Sequence, residues 1–281
     1  MSALPRARKA GSHILTRAFR LSLVVVCLAS HPGWAATTAA GLPAPAATLA
    51  VANGATASSM AASLGKHADF MQENASDDAH RLADWILDSN DHHDLPFLIV
   101  DKKNAKSFVF DGAGRIQGAA PVLLGMATGD DSAPGIGQRK LSAIAPSERT
   151  TPAGRFSATV SRNLHGEEIL WVDYDAAISL HRVITSNPKE RRAERLTSPT
   201  IEDNRISYGC INVPVIFYEQ VVSPAFRKAN GIGIVYVLPE SRSMHDTFGL
   251  YDVDRHAREH PLAASVQPTE PLPAERIIRL R

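Results

Sequence analysis

Cysteine is nearly absent from this chain of 281 residues, where Cys27 and Cys210 are the only two. Two cysteines cannot supply the disulfide framework that holds small secreted domains together, so the fold must rest on an apolar core. Long apolar runs are missing too. The run Leu21–Ala29 is far shorter than the ~20 residues a membrane span requires. Acidic residues are absent from residues 1–35, which carry Arg6, Arg8, Lys9, Arg17 and Arg20. The rest of the chain therefore holds 25 basic residues against 29 acidic ones. A mildly acidic body gives no reason to expect nucleic acid as a partner. No repeat of 20–50 residues is visible. What is present, 44% hydrophobic and 21% charged residues, describes an ordinary soluble protein with a sizeable core.

Residues 1–35 read as a secretory signal peptide: a basic region, a short apolar run, a breaker at Pro32-Gly33, and small residues Gly33 and Ala35 before the cleavage point. Cleavage near Ala35 predicts a periplasmic protein with no stable membrane insertion afterwards. Cys27 leaves with that segment, so Cys210 becomes the sole cysteine of the exported protein. An unpaired thiol in an oxidising compartment is a liability that either catalysis or burial must justify.

Residues 36–75 are alanine-rich with scattered Pro, Gly and Ser, and predict a flexible linker. A catalytic domain with an N-terminal helix is expected over 76–240, and a polar C-terminal tail over 241–281. Within 76–90, Ala79, Leu82, Ala83, Ile86 and Leu87 share one helical face. His92 and His93 follow in a polar loop and are expected to be solvated. Strand patterns then occupy 97–100, 106–110, 116–125, 156–160, 168–173, 177–183 and 232–238, with a further short apolar stretch at 141–144 and a helix from Pro214 to about Lys228. His256 and His260, spaced i, i+4, have no supporting third ligand and read as part of the tail. Neither metal nor cofactor is implied.

The stretch Arg205–Pro214 reads RISYGCINVP, with Gly209 directly before Cys210. Glycine next to a nucleophile removes a side chain where a substrate must approach and permits a sharp turn. Such a turn can aim backbone N–H groups at a developing oxyanion, worth about 3 kcal/mol per donor. An imidazole nearby would accept the thiol proton or stabilise the thiolate.

Thr151-Pro152-Ala153-Gly154-Arg155-Phe156, His181 at the end of a strand, and Ser207-x-Gly209-Cys210-Ile211 before a helix together resemble the L,D-transpeptidase catalytic domain, the YkuD-type family. The resemblance covers about 95–239. It implies a mainly β fold with a few helices, a β-sandwich around a substrate cleft. It also implies an exported cysteine acyltransferase acting on peptidoglycan stem peptides, with Cys210 as nucleophile and His181 as base. Ser207, Tyr208 and Gly209 would form the nucleophile loop and oxyanion site. An L,D-carboxypeptidase or endopeptidase would use the same bonds with water as acceptor. A cell-wall binding module that had lost catalysis would have no use for the thiol.

The pattern departs from the family at three places. Tyr208 stands where His is common before Gly-Cys, Asn212 where Arg is common after it, and Arg182 where Gly often follows the first His. Asn212 and Arg182 are therefore the expected substrate contacts, with Arg182 the candidate for the missing cation. His181 and Cys210 also lie 29 residues apart, with a charged insertion between them. In it, Asn187-Pro188-Lys189-Glu190 predicts a helix over Lys189–Leu196, which is either a solvated surface helix or one wall of the cleft that offers Arg191, Arg192 and Arg195 to substrate carboxylates.

Overall fold

The computed structural model describes residues 65–261; the expected signal peptide, most of the expected linker and residues 262–281 lie outside them. The first helix, α1 (Asp77–Ser89), starts at Ser76, whose hydroxyl accepts the Ala79 N–H, and stops at Asn90 in the left-handed region. Its apolar face, Leu82, Ala83 and Ile86 among others, is fully buried. Each such Leu or Ile contributes about 1.5–3 kcal/mol of transfer free energy.

Strands β1 (Phe97–Asp101), β2 (Lys106–Phe110) and β3 (Ile116–Pro121) form an antiparallel meander. The predicted strand 116–125 breaks after Pro121 and resumes as the short β4 (Leu124–Gly125). Strands β5 (Gly154–Arg162), β6 (Glu168–Asp173) and β7 (Ile178–Arg182) make a second meander. Strand β8 (Arg205–Ser207) pairs with β4, β9 (Ile211–Val213) pairs with β7, and β10 (Ile232–Val237) lies between β1 and β5. The eight strands run in the order β3-β2-β1-β10-β5-β6-β7-β9.

Beyond β3, Leu123 exchanges two backbone hydrogen bonds with Asn212 of β9, at 2.8 and 2.9 Å. That exchange links the chain beyond one edge strand to the other, and the sheet is nearly closed. The fold is mainly β with a few helices, and the expected sandwich takes the form of a single sheet rolled on itself.

Alternation along β1 shows how this sheet is stabilised on both faces. Leu98 and Val100 join an inner core with Leu170, Leu180 and Ile211, into which a helix over 215–227 sends Phe217, Tyr218 and Phe226. Phe97 and Ile99 join an outer core with Leu82 and Ile86 of α1. A period of two thus serves two cores.

Residues 141–144 form a 3-10 turn, not a strand. Residues 241–261, read from the sequence as the start of a polar tail, carry two short helices, Met244–Phe248 and Val253–Glu259. Met244, Leu250 and Val253 from this segment are buried in the outer core. His92 is buried as well, not solvated, with its ring nitrogens at the carbonyls of Ile86 (3.2 Å) and Gly112 (2.9 Å). The end of the expected linker is also packed: Asp69 hydrogen-bonds the backbone of Gly114 and Ile116, and Phe70 is buried beside Phe108 and Phe110. Among the described residues no helix is long and apolar enough to cross a membrane.

Candidate active site

Strands β7 and β9 run parallel, with Leu180 opposite Ile211, His181 opposite Asn212 and Arg182 opposite Val213. Parallel neighbours require a crossover, and the insertion after His181 is part of it. This register brings His181 to Cys210 across the long sequence gap. Just before the paired residues, the Ser179 hydroxyl lies 3.7 Å from Cys210 Sγ.

The turn that carries the thiol is braced by the hydroxyls of Ser207 and Thr151. Ser207, almost fully buried, donates its hydroxyl to the Cys210 carbonyl at 2.6 Å and accepts the Gly209 N–H at 3.0 Å. The Thr151 hydroxyl donates to the Gly209 carbonyl at 2.8 Å and accepts the Gly125 N–H at 2.8 Å. Gly209 itself has φ of 124°, and a Cβ there would meet the Thr150 carbonyl oxygen at 2.6 Å and Ile178 Cδ1 at 2.7 Å. Only glycine fits. The Thr-Pro-Ala-Gly turn seen in the sequence is thus the clamp of the nucleophile turn. One expectation changes: the Gly209 N–H is already given to Ser207 and is not free for an oxyanion.

His181 Nδ1 lies 2.7 Å from the Arg182 carbonyl oxygen. A carbonyl only accepts, so Nδ1 carries a proton and Nε2 is left to exchange one. Burial opposes a positive charge on His181, yet hydrogen bonding and Coulombic attraction to Cys210 raise its pKa above the usual imidazole value. Burial likewise opposes a thiolate at Cys210. His181, the Ser179 backbone N–H and the Ser179 hydroxyl outweigh it and pull the thiol below its usual range. The two shifts have opposite sign, as an imidazolium–thiolate pair requires.

The remaining sequence candidates are placed differently. Tyr208 faces Arg149, whose guanidinium lies 3.9 Å from its ring centre. Asn212 is fully buried behind the pair, with Nδ2 3.3 Å from the Cys210 carbonyl oxygen and 3.5 Å from His181 Nε2. Arg182 lines the groove, but its guanidinium is committed to Glu219 (3.0 Å) and the Glu168 carbonyl (3.0 Å), over the ring of Tyr218. It offers no free fork to a substrate.

The insertion also differs from expectation. A 3-10 turn over Pro188–Glu190 ends at Arg191, with φ of 49°, before helix α2 (Arg192–Leu196) begins. The left-handed residue breaks the predicted single helix. Arg191 is exposed and paired with Glu194, and Arg195 binds the carbonyls of Glu190 and Asp203, both at 2.9 Å. Arg192 alone of the three turns inward.

A groove of about 770 Å³ is lined by Ser179 and His181 together with Leu164, Trp171, Ile184 and Val215. Trp171 stacks on Tyr174 with ring centres 4.9 Å apart. Ser179 is the candidate site residue that the sequence alone did not single out. The signal was available, because Ser179 and His181 are two apart on one strand and share a face.

No family model matches the sequence, and no curated protein matches it either. Among solved structures, the helical cell shape determining protein Pgp2 from Campylobacter jejuni is 13% identical, with a TM-score of 0.37 over 58% of this chain and 52% of that one. The chain thus spans about half the length of Pgp2. The catalytic domain of the E. faecium L,D-transpeptidase is 15% identical, with a TM-score of 0.30 over 52% of this chain and 98% of that one. The L,D-transpeptidase LdtMt1, solved in complex with imipenem, is 15% identical with a TM-score of 0.29, over 52% of this chain and 59% of that one. These likenesses are loose, and the functional reading rests on the site itself.

Proposed function

We propose that this domain is a cysteine acyltransferase that acts on peptidoglycan stem peptides after export. The observation that carries the reading is the Cys210–His181 pair, with pKa shifts of opposite sign, beside an open groove. The thiolate attacks the carbonyl carbon of an amide and its electrons move to the carbonyl oxygen. Collapse of that intermediate breaks the C–N bond, and the leaving amine takes the proton from His181 Nε2. The thioester left on Cys210 is then opened by a second amine, which gives a proton back to His181. Water in place of that amine turns the same sequence into hydrolysis.

The stem-peptide assignment follows from the order and spacing of the Thr151–Phe156, His181 and Ser207–Ile211 motifs behind an export signal. Protein recovered from a bacterial host is expected to begin near Ala36 and to lie in the periplasm. An intact basic region on membrane-bound protein would contradict export by cleavage. The substrate is tested by incubating the protein with purified muropeptides and following release of a terminal amino acid. Release by the native protein and none by Cys210→Ala is expected. Equal release by both would sink the assignment.

A further inference from the structure

Arg192 sits at the first position of α2 with its side chain only 13% exposed. Its Nε donates to Glu190 at 2.5 Å and its Nη1 donates to Asn212 Oδ1 at 2.6 Å. Glu190 belongs to the same insertion. Arg195 ties that insertion to two backbone carbonyls, and Leu196 is buried beneath it. The guanidinium is therefore delivered to the back of the site by a held segment, not by a loose side chain.

A guanidinium has only donors, so it dictates which end of the Asn212 amide faces it. Oδ1 must turn to Arg192, which leaves Nδ2 toward the Cys210 carbonyl and His181 Nε2. An amide NH₂ cannot accept the Nε2 proton. A flipped amide would put Oδ1 there and compete with Cys210 Sγ for it. We propose that Arg192 is a positioning residue for the thiol–imidazole pair: by fixing the Asn212 amide it leaves the sulfur as the acceptor for the His181 Nε2 proton.

The Coulombic effect of Arg192 on His181 runs against this positioning role, and Arg192→Lys retains it while Arg192→Met does not. Besides Cys210, the Arg192 guanidinium acts on His181 and disfavours the imidazolium. Glu190 is taken up by Arg192, and the Arg182 guanidinium by Glu219. Removing Arg192 frees the amide to flip, and an Oδ1 that takes the Nε2 proton leaves the sulfur without its donor and the thiol harder to ionise.

The proposal rests on the Cys210–His181 pair of the proposed function. Its test needs no peptidoglycan, so it stands apart from the stem-peptide assignment. The rate of Cys210 alkylation by iodoacetamide is followed against pH for the native protein, Arg192→Met and Arg192→Lys, with circular dichroism to confirm folding. For Arg192→Met the acid limb should move up by about one pH unit, a tenfold loss of thiolate at pH values below it. Arg192→Lys, which keeps the charge and a donor for Oδ1, should restore most of the native profile. An unmoved profile in Arg192→Met overturns the proposal. So does an unmoved profile accompanied by a raised KM for muropeptides, which would make Arg192 a substrate contact instead. Should the Met variant fail to fold, NMR of the unchanged protein decides. Contact between the Asn212 side-chain NH₂ protons and the His181 ring is expected, and contact of those protons with the Arg192 guanidinium instead overturns it.

Discussion

Ser179 and Cys210 meet across two parallel strands, with the Ser179 hydroxyl 3.7 Å from the sulfur. Ser179→Ala removes the hydroxyl and leaves the strand backbone in place. Loss of one hydrogen bond of about 1 kcal/mol corresponds to roughly fivefold less thiolate below the thiol pKa. Alkylation of Cys210 in that variant should slow by this factor with the fold unchanged. A native rate would show that the hydroxyl does not act on the sulfur.

His181 sets the pH window. Its pKa is raised, so the imidazolium persists above its ordinary range and is lost as pH rises past that value. The Cys210 pKa is depressed, so the thiolate persists below its ordinary range and is lost as pH falls past that value. Turnover should therefore be bell-shaped between the two limits. His181→Gln should abolish the bell and slow alkylation at pH 7 by about tenfold or more, as the thiol returns to its ordinary range. Unchanged alkylation in that variant would remove His181 from the mechanism.

Behind the Thr151 clamp lies an ion pair with almost no exposure. Lys102 donates to Asp130 (2.9 Å), the Gly129 carbonyl (2.5 Å) and the Thr151 carbonyl (2.9 Å). Asp130 also accepts the backbone N–H groups of Glu240, Ser241 and Arg242 at 2.7–2.8 Å. Burial opposes its charge, but these donors and the Ser241 hydroxyl hold its carboxyl well below the usual range. A depressed carboxylate contributes stability above its unfolded pKa and loses it as pH falls toward the folded value. Lys102→Met leaves that charge buried without its cation. It should cost about 3–5 kcal/mol and lower the Tm by many degrees. A Tm within a degree of the native value would contradict the reading of this pair as structural.

Local pattern made much of this architecture legible. Strand 168–173 and the helix face of Leu82, Ala83 and Ile86 follow directly from periods of 2 and 3.6. His181 and Cys210 stand out through motif order and not through any local signal. What escaped was long-range. Pro121 ends β3 because the chain must leave β2 for Leu123 to pair with Asn212, a partner 89 positions away. The buried residues Leu250, Val253 and Ala257 keep helical spacing, but Asp252, Asp254 and Arg255 between them gave that stretch the composition of a tail. At the site, Arg192 could not be separated from Arg191 and Arg195, because a left-handed residue at 191 decides which of them turns inward.

The central claim is that Cys210 becomes acylated through its sulfur. Intact-mass analysis of the mature protein after incubation with muropeptides or a carbapenem tests it most directly. A single covalent adduct mapping to Cys210, lost in Cys210→Ala and slowed in His181→Gln, is the predicted result. A protein whose mass never changes while its substrate is turned over, or an adduct that persists in Cys210→Ala, would contradict it.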